Sequence, residues 1–378
     1  MNAALLPIPS CSFSRFYFTL STGMSDNVVP SPDNLPPAPP HKRRVRYAGK
    51  NPRRFEDKYK EHDPQRYAET VAKVIASGKT PAGTHRPIMV AEILVALAPK
   101  PGEFAVDCTL GYGGHALEIL ARLQPGGRLL GLDADPMELP KTETRLRAAG
   151  FGPEIFTAIR SNFAGLPQAL AGLNLTGADC ILADLGVSSM QLDDPARGFS
   201  VKLEGPLDMR MNPQRGAPAS ALLAKASPEA LEKLLQLNAD EPNARVLAGQ
   251  LAGKSFSTTQ ALAGAIRTAL PRLGKDDADL TVRRVFQALR IAVNDEFSAL
   301  DALLRHLPMC LNPGGRVAIL TFHSGEDRRV KKAFEAGLRD GFYEDIAREV
   351  IRPTPEERHD NPRSTPAKLR WARKTAVQ

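Results

Sequence analysis

Three aspartates in this chain each close a short apolar run: Asp107 in "EFAVDC", Asp133 in "GRLLGLD" and Asp184 in "ADCILAD". A carboxylate at the end of a buried strand is an acceptor held ready for hydroxyl or amino protons. After Asp107 comes "TLGYGGHA", a glycine turn that opens a helix. Gly111, Gly113 and Ala116 satisfy the G-x-G-x-x-G/A spacing, in which glycines let backbone approach a ligand and a helix N-terminus presents free N–H groups. Asp133 follows about 20 residues later, where a carboxylate accepts hydrogen bonds from both hydroxyls of a ribose. NAD and S-adenosylmethionine (SAM) both present such a ribose. Asp135 is the rival acid, but before Pro136 it reads as the N-cap of the next helix. Beyond Asp184 lie Ser188, Ser189 and Gln191. Hydride transfer needs an acid or base beside a carbonyl, and no residue is singled out for that. Methyl transfer needs a held sulfonium, an aligned nucleophile and acceptors for the nucleophile's protons.

For these carboxylates to meet, the strands ending on them must be parallel neighbours, because ligands of such sheets sit beyond the strands' carboxyl ends. The pattern from His85 onward supplies this. Apolar strand-length runs alternate with helical periods such as "ALEILARL" and "GLPQALAGL", which implies parallel crossovers covered on both faces. After Gly216 the alternation stops. "PEALEKLLQLN", "TTQALAGAIRTAL" and "VRRVFQALRIAVNDEFSALDALLRHL" are helical, and they predict a helical subdomain inserted into the α/β domain. "GGRVAILTF" resumes the sheet, and "YEDIAREVI" and "AKLRWARK" read as closing strands.

The chain has 378 residues and a formal net charge of +8, a balance compatible with a nucleic-acid partner. "PSPDNLPPAPP", Pro30 to Pro40, is a linker or tail. It precedes "HKRRVRYAGKNPRRFEDKYK", His41 to Lys60, where cations alternate with aromatics: either a solvated arm or one that contacts RNA. The four cysteines, Cys11, Cys108, Cys180 and Cys310, form no CxxC pair, so a zinc site has no support. No apolar run approaches the ~20 residues that span a bilayer, and the N-terminus lacks the early positive charge of a signal peptide. A cytoplasmic protein is expected.

"DLGVSSMQLDDPARGFS" followed by "GPLDMRMNP" resembles the bacterial small-subunit ribosomal RNA methyltransferase H family. Further segments are similar in the same order: "HRPIMVAE", "TLGYGGHA", "LDADP", "VFQALRIAVNDE", "PGGRVAILTFHSGEDRRVK" and "NPR…KLR", so that the likeness runs from His85 to about Arg373. The resemblance implies a Rossmann-like class I SAM-dependent methyltransferase sheet with an inserted helical subdomain. It also implies methylation of N4 of a cytidine in the decoding centre of 16S rRNA, on naked rRNA or the 30S subunit, by a monomer or homodimer. The family's SAM contacts fall on Gly113, Gly114, His115, Asp133, Phe163, Asp184 and Gln191. The catalytic candidates are Asp184, which ends the strand where cofactor and base would meet, Ser188 and Ser189 lining a base pocket, and His323 in "TFHS". No metal is implied. The sequence departs from the family pattern at Met190 for proline, Asn212 for aspartate and Gly325 for leucine.

The expected organisation is a tail (1–40), a basic extension (41–84), a SAM-binding domain in two parts (85–215 and 307–378) and the insertion (216–306). A nicotinamide dehydrogenase and a non-catalytic RNA-binding assembly factor are the alternative functions.

Overall fold

The computed structural model describes residues 87–376, all within one compact unit, Lys50–Gln378. The proline-rich tail, the basic arm and Cys11 lie outside the described residues.

The described chain opens on α1 (Val90–Leu97), β1 (Phe104–Asp107), α2 (Gly114–Leu123), β2 (Arg128–Asp133), α3 (Leu139–Ala148) and β3 (Phe156–Arg160). Then come α4 (Leu166–Gly172), β4 (Ala178–Asp184) and the short α5 (Ser189–Asp193). A helical stretch follows: α6 (Ala219–Lys225), α7 (Pro228–Ala239), α8 (Ala244–Leu251), α9 (Thr259–Ala269), α10 (Lys275–Asn294) and α11 (Glu296–Cys310). The chain closes with β5 (Leu311–Thr321), α12 (Ser324–Arg339), β6 (Tyr343–Ile346), α13 (Pro355–Asp360) and β7 (Lys368–Lys374).

The strands form one seven-stranded sheet in the order β3-β2-β1-β4-β5-β7-β6. β1 to β5 are parallel, and β7 runs antiparallel between β5 and β6. This is a Rossmann-like sheet, as the resemblance implies. The order reverses at β1, whose neighbours are β2 and β4, and that is where an open parallel sheet leaves a crevice. Alternate residues of each strand go to opposite faces. Val106, Leu130 and Ile181 pack under α4, α11 and α12, while Ala105, Leu129 and Leu182 pack under α1 and α2. Cys108, Cys180 and Cys310 are buried free thiols, as expected of small core residues. Among the described residues, no helix is long and apolar enough to cross a membrane.

α6 to α10 share a separate core built on Leu223, Leu231, Leu247, Leu262 and Leu289. The long helical run "VRRVFQALRIAVNDEFSALDALLRHL" is broken at Asp295, whose φ of 51° stops α10 and redirects the chain. α11 consequently leaves the insertion, and Leu300, Leu303 and Leu307 join the sheet's core.

Candidate active site

Asp107, Asp133 and Asp184 are the last residues of β1, β2 and β4. A cavity of about 1310 Å³ opens over these strand ends, and its walls include Asp133, Asp184, His115, Phe163, Ser188, Ser189 and Gln191. Asp107 lies beneath, 1% exposed, accepting from the Thr109 N–H at 3.0 Å.

The Asp133 carboxylate is held by two backbone donors. The Gly111 N–H reaches Oδ2 at 2.7 Å and the Asp135 N–H reaches Oδ1 at 2.8 Å. Each oxygen keeps a lone pair for a further donor, so the group is oriented without being used up. Burial pushes its pKa up to about 6, against the pull of these two N–H groups. Phe163 starts a 3-10 turn just past β3, with the Asn162 side chain accepting from the Ala164 N–H. The ring packs partly on the core and partly lines the cavity.

The glycines divide. Gly114 lines the cavity, but a Cβ there would come within 2.5 Å of Pro87. Gly113 does not line it. Its φ of 80° is left-handed, and a Cβ would meet Thr142 of α3 at 2.9 Å. Position 113 is thus glycine to turn the chain beneath α3. His115 is 8% exposed, and its Nε2 lies 2.9 Å from the Ile88 carbonyl. A carbonyl only accepts, so Nε2 carries the proton and Nδ1 presents a lone pair. That lone pair faces Asp184 Oδ2 at 3.6 Å. Burial lowers the His115 pKa, and the ring stays neutral at pH 7.

Asp184 is the most perturbed of the three acids. Burial, assisted by the charge of Glu326, pushes its pKa up to about 7. Its Oδ1 is sealed from solvent and has no hydrogen-bond partner. The Asp184 N–H donates to Thr109 Oγ1 at 2.6 Å, which fixes the strand end. Glu326, 3% exposed, also lines the cavity and accepts from the Phe322 N–H at 2.8 Å. Burial alone would raise the pKa of Glu326, but the His323 hydrogen bond and the charges of His323 and Arg290 lower it on balance. The site therefore pairs a carboxylate whose pKa is lowered with one whose pKa is raised to about 7. Coulombic repulsion between them is part of the reason they differ.

α5 begins with a capping box. Ser188 Oγ accepts from the Gln191 N–H at 3.2 Å, and Gln191 Oε1 accepts from the Ser188 N–H at 3.0 Å. Gln191 Nε2 donates to Asp135 Oδ2 at 2.9 Å. Both residues line the cavity while spending most of their hydrogen-bonding capacity on local structure. His323 departs further from expectation. It does not line the cavity but caps α12, with Nδ1 accepting from the Glu326 N–H and Nε2 at 3.1 Å from Glu326 Oε1. Gly325 is explained by Phe297, since a Cβ there would stand 2.7 Å from its ring.

Sequence reasoning missed a buried network beneath the site. Asp135 does cap the turn after β2, through Met137 N–H at 2.9 Å, though α3 starts only at Leu139. Its other oxygen receives Gln191 and also Arg197 Nη1 at 2.7 Å. Arg197 Nη2 then donates to the Arg210 and Met211 carbonyls at 3.1 and 2.8 Å. Asn294 holds the same loop from the insertion, accepting from the Met211 N–H and donating to the Met209 carbonyl. Met209 is left-handed at φ 64°, a conformation that needs such bracing. Arg290 and Glu296 form a bidentate pair at 2.8 Å on the same wall. The signal for this network was "DDPARGFS" followed by "DMRMN", where polar residues cluster without a period.

Residues 82–375 match the model of the MraW methylase family. Ribosomal RNA small subunit methyltransferase H 2 of Alkaliphilus metalliredigens is 50% identical over 339 residues, 87% of this chain and 97% of that protein. Ribosomal RNA small subunit methyltransferase H 1 of Lachnoclostridium phytofermentans is 47% identical over 88% of this chain and 93% of its own length. An rRNA methylase of known structure from Streptococcus thermophilus is 13% identical and covers 77% of this chain and 98% of its own, with a TM-score of 0.35.

Proposed function

This chain belongs to the MraW methylase family, and we propose that it is a SAM-dependent methyltransferase acting on the N4 amino group of a cytidine in the decoding centre of 16S rRNA. The substrate is the rRNA of the small subunit, naked or assembled as 30S, and the reaction takes place in the cytoplasm. The observation that carries this reading is the convergence of strand-end carboxylates on one cavity at the point where the sheet order reverses.

The residues present suit SAM. When bound, that cofactor supplies an electrophilic methyl group on a sulfonium cation. Asp133 is fixed with free lone pairs for the ribose hydroxyls, and Phe163 offers a ring face for adenine. Asp107 and Asp184 favour a positive charge at the β1–β4 reversal, while the neutral His115 does not oppose it. Removing the Asp133 acceptor should cost about 1.5–3 kcal/mol of cofactor affinity. In calorimetric titration, Asp133→Ala should therefore raise the SAM Kd roughly ten- to hundredfold. An unchanged Kd would remove the ribose assignment.

The exocyclic nitrogen of cytosine has its lone pair delocalised into the ring. An acceptor must hold its protons so that the lone pair turns toward the methyl group. The Asp184 carboxylate, which lines the cavity, is the acceptor for this task, and Ser188 and Ser189 line the adjoining wall. Burial, with the charge of Glu326, keeps the proton affinity of Asp184 high enough to take up a proton near neutral pH. Mass spectrometry of rRNA nucleosides from a strain lacking this gene tests the reaction. N4-methylated cytidine should be missing and should return on complementation, and its persistence in the deletion strain would refute the proposal.

The arm His41 to Lys60 carries nine cations against Glu56 and Asp57. In this reading it neutralises rRNA phosphates. Deleting residues 1–60 should weaken RNA binding and flatten its dependence on log salt by about 0.7 per lost phosphate contact, leaving SAM affinity unchanged. An unaltered slope in filter binding would make the arm a solvated tail.

A further inference from the structure

The "NPR" run near the C-terminus has no role in the chemistry above, yet Asn361, Pro362 and Arg363 line the same cavity. Arg363 sits on the 3-10 turn Pro362–Ser364, which the fully buried Ser364 anchors to the body of the protein. One edge of its guanidinium is fixed, because Nη2 donates to Asp193 Oδ1 at the C-terminal end of α5. The other edge is not. Nη1 is sealed from solvent and has no hydrogen-bond partner. A planar fork with one edge anchored and a donor on the other edge still unspent can give that donor to an anionic oxygen along a set direction, once the side chain shifts to bring it to the cavity surface.

Topology says whose oxygen it is. The ribose acceptor Asp133 and the ring of Phe163 follow β2 and β3, on one side of β1. Arg363 enters from the segment before β7 and is tied to α5, which follows β4 on the other side. Ser188 and Ser189 stand at the opposite end of that same helix. Arg363 thus belongs to the wall that faces the substrate.

We propose that Arg363 is an anion-binding group of this cavity and takes a backbone phosphate oxygen of the RNA beside the target nucleotide. This rests on the reading of the cavity as an RNA-methylating site. The test uses full-length Arg363→Gln and Arg363→Lys, with SAM affinity by calorimetry and RNA affinity by filter binding across a salt series. Arg363→Gln should weaken RNA binding about tenfold or more, leave the SAM Kd within about twofold, and flatten the salt slope by about 0.7. Arg363→Lys keeps the charge and hence the slope. It recovers only part of the affinity, since an ammonium cannot serve Asp193 and a phosphate along two fixed directions. If Arg363→Gln does not fold, a lysine variant with wild-type RNA affinity, or with a flattened salt slope, would overturn the proposal. Weakened SAM binding with an unchanged RNA slope would also overturn it, assigning the oxygen to the cofactor's carboxylate. So would an effect no different from that of Asp193→Ala, which removes the acceptor that ties Arg363 to α5. A wild-type protein that transfers no methyl group to rRNA would sink the reaction itself, a result separable from all of these.

Discussion

Replacing Asp184 by asparagine is expected to lower methyl transfer by about two to four orders of magnitude, the usual range for a lost proton acceptor, while making the protein more stable at pH 8. The two effects share one cause. The folded pKa of about 7 lies above the ordinary value of 3.8, so the native state holds this proton more tightly than the unfolded chain does. Stability from this group is therefore fully present below about pH 4 and is lost as pH rises through about 7. Asparagine resembles the protonated acid, and its NH₂ can donate toward the His115 Nδ1 lone pair that faces Asp184. Discounted for the 27% of the side chain that is exposed, the gain at pH 8 should be roughly 1–2 kcal/mol, or about 2–6 °C in Tm. It should vanish near pH 4. Wild-type kcat/KM should rise with pH along a limb near 7, as the carboxylate that accepts the amino proton forms, and the variant should lack that limb. Activity within a factor of two of wild type would make Asp184 a structural residue. A Tm difference that does not change with pH would show that the carboxyl is not strained by burial.

The alternation of strand and helix, the helical insertion and the positions of the three strand-end acids were legible because each is a local pattern with a known period. The antiparallel placement of β7 was not, since "AKLRWARK" carries no mark of its direction. Nor was the break at Asp295. Apolar residues recur at helical spacing on both sides of it, and the change of partner from the insertion to the sheet depends on one left-handed residue. Within the site, Asp133, Asp184, Phe163 and the capping Ser188 lie where their motifs place them. Gly113 and His323 do not line the cavity, because one turns the chain under α3 and the other caps α12. Arg197, Glu326 and Arg290 were invisible for another reason. A charge run reads as a solvated face until the fold reveals that its members are buried together.

Arg197→Met is expected to destabilise the protein by about 3–5 kcal/mol, far more than loss of a surface ion pair. Asp135 is 1% exposed and Arg197 is 7% exposed. Truncation leaves the Asp135 carboxylate buried with the Gln191 amide and the Met137 N–H, and no counter-charge among its described contacts. It also strips donors from the Arg210 and Met211 carbonyls, leaving the strained Met209 turn to Asn294 and to the backbone bond from the Met209 N–H to the Arg197 carbonyl. Arg197→Lys should be nearly as damaging, because one ammonium cannot reach the carboxylate and both carbonyls along the directions the fork spans. The double variant Asp135→Leu with Arg197→Met removes both charges, and it should recover much of the stability. It should not recover methyl transfer. The loop carrying Met211 and Asn212 forms a wall of the cavity and would still lack its donors. Urea unfolding of the three variants measures the first effect, and methyl transfer by the double variant measures the second. A loss below about 1 kcal/mol in Arg197→Met would mean that the pair behaves like an exposed one. Full activity in the double variant would mean that the loop keeps its place without the Arg197 fork, and that the link from the turn after β2 to the substrate wall does not bear on catalysis.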